Sequence, residues 1–159
     1  MSSYHNTYWF ISSIFTQHIL PDQNHSSNQS TPSIVIVDSR EFNAALPSSL
    51  FKIGIRLLPV TLSVCDYVLS PDIGVERKAF SDLVSSLSSG RLQKQMEQMT
   101  RIYRTSLLLI EMDGSQRGLF KATGEATLTA TRLVVLLRSY PTMRLLWSFS
   151  DRCSCNVSE

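Results

Sequence analysis

Three short apolar runs constrain the fold of this chain more than any other feature of its sequence. Ile34–Val37 and Leu107–Ile110 are uninterrupted, and Met143–Trp147 is broken only by one arginine. Aliphatic runs of this length are typical of strands that are covered on both faces. The strands and helices that lie between them in the sequence predict an α/β fold, with these three strands as a parallel core.

The segments between these runs show either helical periodicity or the pattern of short strands. The stretch 57–78 predicts a meander or hairpin pair, with a turn at Pro71–Gly74. Elsewhere, apolar residues recur at spacings of three and four, and Gly54 and Gly90 follow two of these segments as C-terminal caps would. The predicted helices cover residues 46–53, 80–89, 91–104 and 128–138.

Composition excludes several classes of protein. The 159 residues carry 15 Lys and Arg against 13 Asp and Glu, and a net charge of +2 does not by itself indicate a nucleic-acid binder. A hydrophobic content of 43% is enough for one folded domain. The three cysteines form neither a disulfide framework nor a zinc motif. Without a membrane-length apolar run or a signal peptide, we expect an intracellular protein with no membrane association.

The chain divides into three parts. Residues 1–32 contain no Lys or Arg and end in a polar run, so we expect an unmatched or disordered N-terminal segment. Residues 33–148 form the folded domain. Residues 149–159 have few large apolar side chains and no helical periodicity, which predicts an irregular C-terminal tail.

Two carboxylates and an ammonium group are predicted to converge on the strands of the 57–78 stretch. Glu76 and Lys78 share one face of a strand because side chains alternate, while Arg77 points to the other face. The turn can bring Asp66 beside Glu76. Such a group can bind a hard divalent cation and stabilise the charge that develops on a phosphate, as metal-assisted phosphodiester hydrolysis requires. The alternative is a surface hairpin with ordinary ion pairs.

The same stretch resembles the signature of the XPF-type structure-specific endonucleases, which is Gly-Asp, a spacer, Glu-Arg-Lys, three residues and Asp. This chain has Cys65-Asp66, Glu76–Lys78 and Asp82 in that order. Further blocks follow the family order across about residues 34–147. They are Val37–Phe42, Gly54-Ile55, Pro59–Leu62, Ser81–Leu83, Ser89–Leu92, Leu108–Glu111 and Leu145–Trp147.

The resemblance implies a restriction-endonuclease-like fold, with a central mixed sheet and helices on both faces. It also implies dependence on Mg²⁺ or Mn²⁺ and cleavage of branched or junction DNA in DNA repair, including nucleotide excision repair. The implied partner is a related, non-catalytic nuclease-family subunit, and the implied location is the nucleus, although no basic localisation motif is present.

The resemblance also assigns roles to individual residues. It implies that Asp66 and Glu76 are metal ligands, that Lys78 is the catalytic lysine and that Asp38 is an additional metal-binding acid. The remaining members of the implied site are two arginines and a supporting acid from the following helix, namely Arg40, Arg77 and Asp82. For Arg77, contact with the phosphate and a structural ion pair with Asp82 or Glu41 both stay open.

Two departures from the family pattern leave alternatives open. Cys65 replaces the signature glycine, from which we expect a modest perturbation and not a loss of activity. Family enzymes also continue into a helix-hairpin-helix module, whereas this chain ends twelve residues after Trp147. It could therefore be a catalytically silent dimerisation or regulatory module from a truncated isoform or gene fragment, or an unstable product.

The basic face of the predicted helix 91–104 has two interpretations. Arg91, Lys94, Arg101 and Arg104 share one side of this helix. They could follow a DNA backbone and add salt-dependent affinity, or they could form an ordinary solvated face.

Overall fold

The computed structural model describes residues 34–113 and 124–150. Its six strands are β1 (Ile34–Asp38), β2 (Arg56–Val60), β3 (Tyr67–Ser70), β4 (Ile73–Ala79), β5 (Thr105–Asp113) and β6 (Met143–Ser150). The helices are α1 (Ala45–Lys52), α2 (Phe80–Ser88), α3 (Arg91–Ile102) and α4 (Gly124–Arg138), and a 3-10 helix, Ser39–Asn43, follows β1. In these ranges, the helices are all too short or too polar to cross a bilayer.

The strands form one mixed sheet in the order β2-β1-β3-β4-β5-β6. β3 is antiparallel to both β1 and β4, whereas the pairs β1–β2, β4–β5 and β5–β6 are parallel. The prediction of a mixed sheet is therefore confirmed. The three strands predicted as a parallel core run in the same direction, but only β5 and β6 are neighbours, because the β3–β4 hairpin lies between β1 and β5.

The hairpin prediction holds for only part of the 57–78 stretch. β3 and β4 pair across the Pro71 turn as expected. β2, however, pairs in parallel with β1 at the edge of the sheet, from Arg56 opposite Ile34 to Val60 opposite Asp38. Parallel neighbours need a crossover connection, and α1 supplies it. The meander was therefore wrong for β2.

Side-chain alternation along β5 divides the core into two layers. Leu107 and Leu109 face a cluster that includes Leu46 and Leu50 of α1. Leu108 and Ile110 face the opposite cluster, which contains buried residues of the other three helices, namely Leu83, Leu92, Met96, Met99 and Leu133. The predicted helices on both faces are thus confirmed, and a buried strand with aliphatic side chains in both directions explains the continuous apolar run.

The predicted domain boundaries are only partly covered by the structure. β6 continues to Ser150, two residues into the segment predicted as an irregular tail. The N-terminal segment 1–32, the remaining tail 151–159 and the segment 114–123 between β5 and α4 lie outside the described residues.

Candidate active site

The backbone around Asp66 brings three strands together at one point. Asp66 directly precedes β3, its N–H donates to the Val75 carbonyl of β4 at 2.9 Å, and its carbonyl accepts from the Asp38 N–H of β1 at 2.8 Å. The preceding residue, Cys65, has a φ of 62°, in the left-handed region. Asp38 of β1, Asp66 and Glu76 of β4 therefore lie near one another, as the sequence predicted for Asp66 and Glu76.

Glu76 and Lys78 share the face of β4 that packs against α3. Their side chains are buried, with 4% and 7% of each residue exposed, and Lys78 Nζ lies 3.3 Å from Glu76 Oε1. Burial, followed by the negative charge of Asp66, raises the pKa of Glu76 to about 7. Burial also raises the pKa of Asp66. Two desolvated carboxylates thus share a single ammonium group, which leaves negative charge that a cation could neutralise.

Each of these two carboxylates keeps one oxygen without a hydrogen bond from the described residues. Asp66 Oδ2 accepts from the Arg77 backbone N–H at 2.7 Å, and both contacts to Glu76 fall on Oε1. Asp66 Oδ1 and Glu76 Oε2 therefore fit the oxygen ligands that a hard divalent cation prefers. The described ranges contain no ready group of three His, Cys, Asp or Glu side chains around a metal position, so other oxygens would complete the shell.

Asp38 and Arg40 are bound to each other. Arg40 Nε donates to Asp38 Oδ1 at 2.8 Å and Arg40 Nη2 to Oδ2 at 2.7 Å, while the backbone N–H groups of Arg40 and Leu62 donate to the same carboxylate at 2.8 and 2.9 Å. The hydrogen bonds from the Arg40 side chain hold the pKa of Asp38 well below its usual range. Metal binding by Asp38 stays a prediction, and it would require the two hydrogen bonds from the Arg40 guanidinium to break.

Arg77 points to the opposite face of the sheet from Lys78. Its guanidinium donates to Glu111 of β5 and, at 3.2 Å, to Glu41 of the 3-10 helix. Among the partners that the sequence left open, the structure thus shows Glu41. Arg77 acts on the site through its backbone, because its N–H fixes the Asp66 carboxylate.

Asp82 is not brought to this cluster. It lies exposed in the first turn of α2. Its carboxylate makes no ion pair or hydrogen bond with any side chain in the part of the chain that the structure describes. No side-chain contact among the described residues therefore supports its predicted role.

Sequence reasoning missed Gln95, Glu111 and the dual contact of Arg77. Gln95 of α3 donates from Nε2 to Glu76 Oε1 at 2.5 Å and accepts from Lys78 Nζ at 3.1 Å. The sequence did contain a signal for Gln95. On a helical wheel of 100° per residue with Arg91 at zero, Gln95 falls at about 40°, between the apolar residues Ile102 at about 20° and Met99 at about 80°. A polar residue on an inward arc needs a partner. Glu111 required the β4–β5 register, which the sequence does not give.

Comparisons with known proteins identify relatives of this chain. The model of the ERCC4 domain matches residues 37–157. The DNA repair endonuclease XPF of Cricetulus griseus is 43% identical over 143 residues, which cover 86% of this chain and 15% of that protein. The 3'-flap repair endonuclease Xpf of Saccharolobus solfataricus is 37% identical over 79 residues, 50% of this chain and 34% of that one.

The fold has a solved counterpart as well. The structure of XPF from Aeropyrum pernix in complex with DNA superimposes with a TM-score of 0.64 and 30% identity, and the match covers 74% of this chain and 57% of that one. The chain spans about 15% of the length of its eukaryotic relative.

Proposed function

The chain belongs to the ERCC4 domain family, and from this premise we propose that it is a metal-dependent, structure-specific DNA endonuclease domain. The proposed reaction is hydrolysis of a phosphodiester at a junction between duplex and single-stranded DNA, in DNA repair. The fold is the restriction-endonuclease-like fold of the XPF nuclease domain. The observation that carries the proposal is the convergence of Asp66, Glu76 and Lys78, with one oxygen on each carboxylate that accepts no hydrogen bond from the described part of the chain.

We propose that Asp66 and Glu76 hold the cation, Mg²⁺ or Mn²⁺. Both provide carboxylate oxygens, and both have a raised pKa. A bound cation would lower these two pKa values because it stabilises the ionised carboxylates. The bound cation would supply Lewis-acid stabilisation of the charge on the phosphate. Asp38 would join only after releasing Arg40, and Arg40 would then be free to contact a phosphate, for which a guanidinium fork is well suited.

Lys78 supplies the fixed positive charge of the proposed site. Its ammonium group is buried between Glu76 and Gln95, so its charge is little screened and can stabilise negative charge that develops on the phosphate. The guanidinium of Arg77 has no such role in this arrangement because it lies on the other face, between Glu41 and Glu111. Its contribution is the backbone N–H that orients Asp66.

The names of the relatives support the proposed substrate. One relative is named a 3'-flap repair endonuclease, and a flap is a junction of the proposed type. The solved relative is bound to DNA. We propose that this chain binds branched or junction DNA, acts in the nucleus and pairs with a related, non-catalytic subunit of the same family.

A cleavage assay tests this proposal. The purified chain, alone and with a family subunit, is incubated with fork and bubble DNA in Mg²⁺ or Mn²⁺. We expect cleavage near the junction that is lost in Asp66→Asn, a variant whose amide oxygen can still accept from Arg77. The control is Asp72→Asn, because Asp72 is exposed in the β3–β4 turn. Undiminished cleavage by Asp66→Asn would overturn the site, and partner binding without any cleavage would favour the silent module.

A further inference from the structure

One polar side chain reaches the candidate site from outside its strands. Gln95 lies near the middle of α3, between the buried Leu92 and Met99. Its Nε2 donates to Glu76 Oε1 at 2.5 Å, and its Oε1 accepts from Lys78 Nζ at 3.1 Å. Both polar ends of one amide are therefore used, each on a different member of the charged pair.

The chemistry of these two partners suits an amide. A carboxylate needs a donor and an ammonium group needs an acceptor, and the side chain of Gln offers an NH2 donor and a carbonyl acceptor on separate atoms without carrying a charge. The negative charge of a Glu at this position would repel Glu76, and the positive charge of a Lys would repel Lys78. Leu or Met would fill the same volume beside the core but would leave the two buried charges with one partner fewer.

The position of the contacts determines which atoms stay free. Gln95 and Lys78 both bind Oε1 of Glu76, so Oε2 is left without a hydrogen bond from the described residues. Lys78 in turn is held at two points, Glu76 and Gln95, which restricts a side chain that otherwise has four rotatable bonds. Loss of the amide would let the ammonium group shift across both oxygens of Glu76.

We propose that Gln95 is a positioning residue for this reaction. It fixes the Lys78 ammonium and turns Oε2 of Glu76 toward the cation that the proposed function places between Glu76 and Asp66. This inference rests on that proposed function for its chemical purpose, but its geometric content can be tested separately.

Steady-state kinetics test the chemical purpose. Gln95→Met keeps the volume and removes both hydrogen bonds, and the matched control is Gln93→Met, two residues away on the exposed side of α3. We expect kcat on fork DNA to fall about 10- to 100-fold in Gln95→Met, as for other residues that orient metal ligands. KM for DNA should stay within about twofold, since the amide acts on the charged pair and not on substrate binding. An unchanged kcat, or a loss confined to KM, would overturn the proposal.

A nuclear magnetic resonance measurement on the unvaried chain tests the geometry without any activity. The side-chain amide signals of Gln95, assigned by their absence in Gln95→Met, should include a proton that is shifted downfield and exchanges more slowly than those of Gln93. Signals that coincide with those of Gln93 would overturn the role of Gln95. If the chain cuts no branched DNA but shows the shifted signal, the proposed function fails while the positioning of Glu76 by Gln95 stands.

Discussion

Arg77 and Lys78 are adjacent in the chain, yet their charged groups lie on opposite faces of the sheet. Lys78 contacts Glu76 and Gln95 on the face covered by α3. Arg77 contacts Glu41 and Glu111 on the other face. The three charged residues of β4 therefore have different roles. Glu76 and Lys78 form the candidate site, while Arg77 neutralises two acids on the opposite face of the sheet.

This division predicts that Arg77 matters for stability. Arg77→Met would leave Glu41 and Glu111, both largely buried, without their cation, and we expect a loss of roughly 1–3 kcal/mol in the free energy of unfolding. The matched control is Arg101→Met, which breaks the exposed pair with Glu97 (72% and 48% side-chain exposure) and should cost at most about 0.5 kcal/mol. Urea denaturation gives both values, and equal losses in the two variants would contradict the prediction.

Local sequence rules explain why the faces of β4 and the β3–β4 hairpin could be predicted. Strand alternation places Glu76 and Lys78 on one face and Arg77 on the other, and the Pro71 turn fixes the β3–β4 hairpin. The position of β1 was not predictable from such rules, because an apolar run gives the burial of a strand but not its neighbours. Glu111 and Gln95 depend on strand register and helix docking, which are tertiary properties.

The raised pKa of Glu76 predicts a pH dependence of stability. Burial and the charge of Asp66 raise this pKa from 4.5 to about 7, so the folded chain binds a proton more tightly than the unfolded chain. Stability from this group is present below about pH 4.5 and is lost as the pH rises through about 7. Glu76→Gln carries no such charge, and we expect it to be more stable than the original chain at pH 8 by on the order of 2 kcal/mol.

Thermal melts between about pH 5 and pH 8 measure this difference. The melting temperature of the original chain should fall more steeply with rising pH than that of Glu76→Gln, while Asp72→Asn should follow the original chain. Mg²⁺ should raise the melting temperature of the original chain at pH 8 and have a smaller effect on Glu76→Gln. Parallel pH curves for the two proteins would rule out the assignment of the buried charge to Glu76.

Gly74 of β4 is required by the ring of Tyr103. A Cβ atom at this position would lie 2.6 Å from two carbons of that ring. We expect Gly74→Ala to lose about 1–3 kcal/mol in the free energy of unfolding because the ring must move. In a chain that already carries Tyr103→Ala, the same change should cost little, so a double-mutant cycle isolates the contact. Additive losses would show that the ring is not the cause.

Cys65, which replaces the signature glycine, is in the left-handed region with a φ of 62°. For a residue with a Cβ this conformation costs roughly 1–2 kcal/mol, and glycine avoids the cost. Its thiol nevertheless packs in the core, with Sγ 3.4 Å from the Tyr103 hydroxyl and 3.4 Å from the Tyr67 carbonyl. Cys65→Gly therefore combines a gain in backbone energy with a loss of packing, and it does not separate the two.

The comparison of Cys65→Ala with Cys65→Gly does separate them, because both variants lack the sulfur and only one has a Cβ. At an ordinary φ, glycine would be the less stable variant by roughly 0.5–1 kcal/mol. Here we expect the order to reverse, with Cys65→Gly melting at the higher temperature. A higher melting temperature for Cys65→Ala would mean that the chain around Asp66 relaxes out of the left-handed region. The glycine of the family signature would then have to serve another purpose than backbone freedom.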